Sequence, residues 1–452
     1  MHARQHDIRI TLCLLLLGST LSLLAQPKLN SPYSRYGFGD PVSQQLPVQT
    51  GSGGQTAAYH DPYHLNLSNP AALAHLRTTS FETGLYSKYS NYEAGNNKLD
   101  VWSGNIGYFA LGFTLKSPIN ELLDRDKSKW HYGMGLSLTP FSHIGYNVET
   151  RDTLPQIGNI ANTYQGSGGV YRLNWGSAAR YKHTAFGINL GWVFGEGVYE
   201  NTTFFSDSIL LPSFQNNFLD QNRYSGFIWN AGVQHDFILK LSTLDKETPA
   251  EWITVGLNAE SQHNIGIISD VLRLRSRGKT NTDQYTSADT LFSAFDLRQT
   301  MRLPAQFSVG IQYVKVDKLR LGAEFDYATW SNYENPARPQ EMRNTFGVRG
   351  GIEYTPDNAS YKKYLRRVRY RAGAYYRQDP RIITQGQEIN DVGLTLGLGF
   401  PLILPRQQTS FVDIALELGR YGANTDIAET YGRLTVGFSL NDNSWFYKRR
   451  FE

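Results

Sequence analysis

The sequence predicts an all-β fold: a transmembrane antiparallel β-barrel of about 14 strands with an N-terminal plug segment. Three observations predict it. From residue 77 to the end, segments of about ten residues alternate large apolar with small or polar side chains. Aromatic residues are abundant (8 Trp, 28 Tyr, 23 Phe), although only 40% of the chain is hydrophobic and mean hydropathy is −0.41. That balance suits a wall that shows only alternate residues to lipid. No stretch reaches the roughly 18 consecutive apolar residues of a membrane helix.

The N-terminus comes first in the chain and narrows the choice of environment. Arg4 and Arg9 flank a basic start, Ile10 to Leu17 are apolar, and Gly18, Ser19 and Ser22 lead to Ala25-Gln26. This is the layout of a secretory signal peptide, residues 1–25, cleaved after about Ala25. The single cysteine, Cys13, lies inside it, so disulfide and thiol chemistry are excluded from the mature chain. The net charge of +4 does not suggest nucleic acid as a partner. Residues 26–76 follow. They are rich in Pro, Gly, Ser and Tyr, lack strand period and end in SNPAALAHL, where Asn69 can cap and Pro70 can open a helix of one or two turns. About fifty residues of this kind before a barrel suggest a plug.

Residues 77–440 read as the barrel. In KWHYGMGLSLT, residues 129–139, Trp130, Tyr132, Met134, Leu136 and Leu138 oppose His131, Gly133, Gly135, Ser137 and Thr139. In HTAFGINLGWVF, residues 183–194, Phe186, Ile188, Leu190, Trp192 and Phe194 oppose Ala185, Gly187, Asn189 and Gly191. Large side chains face lipid and small or polar ones the lumen. Between 197 and 300 the alternation weakens. Strands recur near 306–316, 319–330, 345–355, 366–378, 390–401, 409–420 and 429–440. The turn at 316–318 is tight, whereas 331–344 and 378–389 are long. Short turns on one side and long loops on the other put the C-terminus, with a tail at 441–452, in the periplasm of a Gram-negative cell.

In RVRYRAGAYYR, residues 367–377, Arg367, Arg369, Arg371 and Arg377 share one face, and Val368, Tyr370, Ala372, Ala374 and Tyr376 the other. This strand alone suits a soluble sandwich as well as a barrel; the signal peptide favours the barrel, and with it a lumen for the arginines. The lumen-facing set of neighbouring strands contains Glu324 and Asp326, then Arg349 and Glu353, then Asp413 and Glu417. Opposite signs on nearby strands form cross-strand pairs of a few tenths to about 1 kcal/mol each. The first expectation is therefore a salt-bridged inner wall that holds the plug. The second is a ligand-binding surface for an anionic group on a hydrophobic tail.

Two further stretches resemble a known family. SNPAALAHLRTTSFETGL at 68–85 is similar to the plug-to-first-strand junction of the FadL/OmpP1/TodX outer-membrane proteins. LPAQFSVGIQYVKVDKLRLGAEFDYATWSNY at 303–333 resembles a second motif of that family, through Leu303, Pro304, Gly310, Tyr313, Asp317, Lys318, Asp326, Trp330 and Ser331. SPYSRYGFGD at 31–40 and the C-terminal ETYGRLTVGFSLNDNSWFYKRRFE resemble its Bacteroidota-type branch. The resemblance implies a 14-stranded plugged barrel and uptake of fatty acids or other hydrophobic molecules through a side opening. Bacteroidota relatives also serve as subunits of secretion and outer-membrane assembly machines.

Two functions follow as expectations. One is binding or transport of hydrophobic, fatty-acid-like small molecules across the outer membrane. The other is a non-transporting barrel subunit of an outer-membrane secretion or assembly complex, docking through plug, loops or tail. Outer-membrane lipid is a partner in both. No HExxH, GxSxG or cysteine pair points to an enzyme, and no cofactor is expected. His60 and His64 (HDPYH) invite a metal pair, but Pro62 breaks a regular helical spacing. Gly278-Lys279-Thr280 echoes a phosphate loop, but Arg273 stands where its first glycine belongs.

Overall fold

Alternating side chains commit each segment to two unlike faces, and the only way to hide every strand edge in lipid is to close the sheet on itself. The computed structural model describes residues 31–442 except 116–128, 155–157, 206–213, 244–247, 280–284, 287–288, 384–386 and 405–407. The expected signal peptide and residues 443–452 of the expected tail lie outside the described residues. In chain order the wall begins with β1 Thr79–Ala94, β2 Asn97–Thr114, β3 Trp130–Leu154, β4 Gly158–Tyr181, β5 Thr184–Phe205 and β6 Gln215–Leu241. β7 comes in two pieces, Pro249–Glu260 and His263–Ser276, and so does β8, Asp289–Leu303 and Gln306–Lys315. β9 Leu319–Ala328, β10 Thr345–Tyr354, β11 Arg369–Gln378, β12 Asn390–Leu404, β13 Gln408–Tyr421 and β14 Ala428–Asp442 complete the barrel. β14 pairs back onto β1, from Ala428 opposite Glu93 to Asp442 opposite Thr79. The result is a closed antiparallel barrel of 14 strands. No described helix is long and apolar enough to cross a membrane.

The expected phase holds. Trp130, Leu136, Leu190 and Trp192 all point outward and are 40 to 55% exposed, whereas Gly133, Gly135, Gly187 and Asn189 face inward against luminal atoms. Three details differ from the sequence expectations. Arg367 is not on the strand: it takes a helical conformation at the end of the short turn Tyr364–Arg366, so β11 starts at Arg369. Val368 is buried, not lipid-facing. Loop lengths do not sort by end, because 355–368 is long at the same end as the tight 316–318 turn. The long segment contains its own helical turn, tied by the Asp357 amide donating to the Arg366 carbonyl at 2.8 Å.

Strand length varies strongly around the wall. β9, β10 and β11 have ten residues each, but β3 has 25 and β6 has 27. Ten tilted residues span roughly the 25 Å apolar band of an outer membrane, so the β3 to β8 side extends well beyond it. Above the band no lipid dictates an apolar outer face, which is why the period-2 signal fades between 197 and 300. Breaks at 261–262 in β7 and at Pro304-Ala305 in β8 interrupt it further, since proline cannot donate to a ladder.

The hydrophobic core is inside the barrel. Leu46, Leu65, Leu67, Ala71, Leu73 and Leu76 of the N-terminal segment cluster against Tyr108, Ala110, Ala178 and Ala185 of the wall. Nearer the other end, Phe38 meets Val170, Val193, Ile265, Met301 and Trp330.

Candidate functional site

Residues 31–76 run through the lumen from one end to the other. The Tyr33 hydroxyl donates to the Ile427 carbonyl in the loop before β14, at the end opposite to Thr79 and Asp442. From there the chain passes down to the turn Pro70–His75, a 3-10 helix opened by Pro70 and capped by the Asn69 side chain, which accepts from the Ala71 amide at 3.1 Å. The wall makes room with glycine. A Cβ at Gly133 would overlap the Leu73 carbonyl, one at Gly232 the Asn69 side chain, one at Gly256 the Ala57 carbonyl and one at Gly351 the Ser52 carbonyl. At Gly133, Gly256 and Gly351 glycine is demanded by backbone approach, at Gly232 by the capping side chain of Asn69.

Charge fastens the segment to the wall. Asp61, fully buried, accepts from Arg320 Nη2 at 2.8 Å and Arg369 Nη1 at 2.9 Å. Burial alone raises its carboxyl, but Arg369 and Arg320 hold it well below the ordinary carboxylate range. Arg371, also buried, donates to Glu353 at 2.6 Å and Asp413 at 2.7 Å. Glu324 accepts the amides of Thr56 and Ala57 at 2.5 and 2.6 Å. Arg349 pairs with Asp326 and donates to the Gly54 carbonyl at 3.1 Å. Arg377 pairs with Asp391 at 2.6 Å, and Arg381 joins Asp40 and Asp379.

The sequence-selected residues thus gather on one side of the lumen: Arg369, Arg371, Arg377, Glu324, Asp326, Arg349 and Glu353 all carry ionic partners. Arg367 stands apart, its guanidinium over the Tyr364 ring at 5.0 Å. Sequence reasoning missed Asp61, Arg320, Arg381 and Asp236. Arg320 was findable, because it shares the phase of Glu324 and Asp326 in LRLGAEFD; Asp61 was not, since no period places it.

The two histidines of HDPYH diverge. His60 Nε2 is 3.1 Å from Asp236, and its ring stacks on His75 with centroids 3.7 Å apart. His64 turns to the opposite wall, 3.7 Å from Asp413. His60, His75 and Asp236 offer ligand atoms within 4.8 Å of one another, but stacked rings do not converge on an ion, and Arg180 sits 3.1 Å from His75 Nδ1. The arrangement suits a clamp between segment and wall.

Two openings stand out among the described residues. A luminal cavity of about 460 Å³ is lined by charges of both signs, among them Asp40, Arg172, Glu260, Asp326, Arg349 and Arg381. The wall itself is split between β2 and β3. Their pairing runs only from Thr114 opposite Gly133 to Phe109 opposite Leu138. Beyond it β3 bulges at Phe141 and turns to the luminal segment. Gln44 donates to the Pro140 carbonyl at 3.1 Å, the Val42 amide to Phe141 at 3.0 Å and the Ser31 amide to Gly145 at 2.8 Å, while Asp40 and Pro41 pair with His143 and Ser142.

A closed 14-strand wall, lipid-facing apolar band and occupied lumen define an outer-membrane β-barrel of the FadL-like fold. A family model described as BamG matches residues 7–452, and the chain belongs to the BamG family. No curated protein matches it. Among solved structures it is similar to the Ralstonia pickettii toluene transporter TbuX, with 14% identity over 88% of this chain and 98% of that one and a TM-score of 0.52. It also resembles a Pseudomonas aeruginosa FadL homologue (13%, 89% and 99%, 0.55) and the P. putida toluene transporter TodX (14%, 89% and 99%, 0.52). At these identities the likeness is one of fold.

Proposed function

We propose that this protein is a plugged barrel subunit of an outer-membrane assembly or secretion complex, residues 26–76 forming the plug, with the ends at Thr79 and Asp442 toward the periplasm. One observation carries the reading: the lumen is occupied by a segment held through buried ion pairs, Asp61 with Arg320 and Arg369 foremost. A conduit would have to break these contacts at each passage, and in the cavity that remains Phe38, Phe141, Leu303 and Trp330 share the lining with buried charges of both signs, which an apolar cargo would leave without water. Membership of the BamG family agrees with the subunit expectation. Purification in mild detergent tests it. Stoichiometric partner proteins are the expected result; a monomer carrying bound lipid would refute it.

A second reading, binding or passage of a hydrophobic small molecule, is favoured by the split between β2 and β3, which is a side opening of the kind the family resemblance implies. The same purification serves it, with the monomer and its bound molecule as the supporting result.

A further inference from the structure

The two edges of the split are not equivalent. The β3 edge, Pro140 to Gly145, is served by Gln44, Val42, Pro41, Asp40 and Ser31 of the luminal segment. The facing edge of β2, from Asn97 to Tyr108, pairs with β1 on its far side only; among the described residues no strand covers it.

This edge starts at bilayer depth. Ile106 pairs with Leu85, which pairs with Val436, and all three point outward in the middle of the apolar band that runs from Phe81 and Leu440 up to Tyr89. Trp102, paired with Tyr89 and tilted against its ring with centroids 5.1 Å apart, marks the outer rim and is 59% exposed. In hydrocarbon a backbone amide or carbonyl left unpaired is strongly unfavourable, because no water is there to replace the missing partner. Lipid tails cover the side chains of Ile106 and Trp102 but offer nothing to the backbone between them. The Ile106 amide is met locally, by Asn105 Oδ1 at 2.8 Å, which shows that the amide points into the gap; by strand alternation Gly104 and Trp102 point there too.

We propose that the β2 edge from Trp102 to Ile106 is a docking site for one extended strand of a partner outer-membrane polypeptide, added by β-augmentation. The proposal rests on the subunit reading and gives that subunit its contact. The occupant is a strand because the deficit is a row of backbone donors and acceptors. Its lipid-side residues are apolar because the row lies beside Ile106 and Leu85. β3 cannot fill the place, since its own edge is engaged with residues 31–44.

A photo-crosslinking side chain installed at Ile106, in outer membranes of cells making the full chain, tests this. The expected product is a single adduct whose mass-spectrometric map falls in an extended, alternately apolar segment of another membrane protein. Gly104→Pro should reduce it at least tenfold without loss of folded barrel, because the lost amide faces the gap and not β1. Leu394, outward on the closed wall and 66% exposed, should give none. Adducts to lipid alone, to a second copy, to residues of the same chain, equal adducts from Leu394, or an adduct unmoved by Gly104→Pro would each overturn the proposal. If partners still co-purify with Gly104→Pro while the parent gives no adduct at Ile106, the docking site is wrong and the subunit reading stands; if none co-purify with the parent, the subunit reading itself has failed.

Discussion

Replacing Asp61 by Asn should loosen the luminal segment without opening the barrel wall. Asp61 is the shared acceptor of two guanidiniums, at 2.8 and 2.9 Å, with its side chain wholly out of solvent. Breaking a buried ion pair by removing one partner costs about 3–5 kcal/mol, because the other charge is left in a poor environment. Here the orphans keep some company. Arg320 retains Glu353 at 3.5 Å and the His60 carbonyl at 3.0 Å, and Arg369 lies over the Phe411 ring at 4.5 Å. The lower end of the range, about 3 kcal/mol, is therefore expected, equivalent to about a hundredfold rise in the released population. Limited proteolysis of the detergent-folded protein reads this directly, as faster cleavage within 31–76 while the 14-strand barrel stays resistant. Asp326→Asn is the control: its side chain is 32% exposed, and its partner Arg349 keeps Glu324 at 3.8 Å, so the loss should stay at or below about 1 kcal/mol. Parent-like cleavage of Asp61→Asn would refute the idea that charge fastens the segment.

Gly133→Ala and Gly351→Ala should displace the luminal segment, since each new Cβ meets a backbone carbonyl; conductance in planar bilayers should rise above the parent's, and an unchanged trace would count against close approach as the reason for glycine. Leu136→Arg places a charge in the lipid band at about 2–4 kcal/mol, whereas Gly135→Ser meets the movable end of Leu73 at 3.2 Å and the Leu111 carbonyl at an ordinary 3.4 Å; folded yield should fall far more for the first, and equal losses would overturn the phase. Acid should loosen the segment in two stages. Burial pushes the imidazoles of His64 and His75 down, with stacked His60 and Arg180 adding to the effect at His75 and Asp413 and Asp61 opposing it at His64. Their contribution is complete above about pH 6.5 and is lost as pH falls below it, at about 1.4 kcal/mol per pH unit for each proton taken up on release. The Asp61 contribution, from a carboxyl held low, persists until below about pH 4. Hydrogen exchange of residues 56–76 between pH 7.5 and 5 should show the first stage, and a flat profile would contradict it.

Local chemistry determined much of this protein. Period-2 alternation is a property of neighbouring residues, so β9 to β14 and the lipid-facing phase of Trp130 and Leu190 were legible within a residue or a few, as was the Asn69-Pro70 helix start. The small luminal residues were also visible, but as small residues only. That Gly133 and Gly351 are small because another backbone lies against them required the path of the luminal segment. The arginine row was legible as a charged inner face; its partners were not. Asp61 and Arg369 are 308 positions apart, and no local pattern encodes which carboxylate a guanidinium meets once a chain is threaded through a closed sheet. The split wall is of the same kind. Nothing in Asn97–Thr114 announces a missing neighbour, because pairing is decided by where β3 goes after Phe141, and β3 goes to the segment inside. Sequence determines which face a residue takes, since that depends on its neighbours along the chain; tertiary structure decides what stands opposite it, since that depends on register and closure over hundreds of residues.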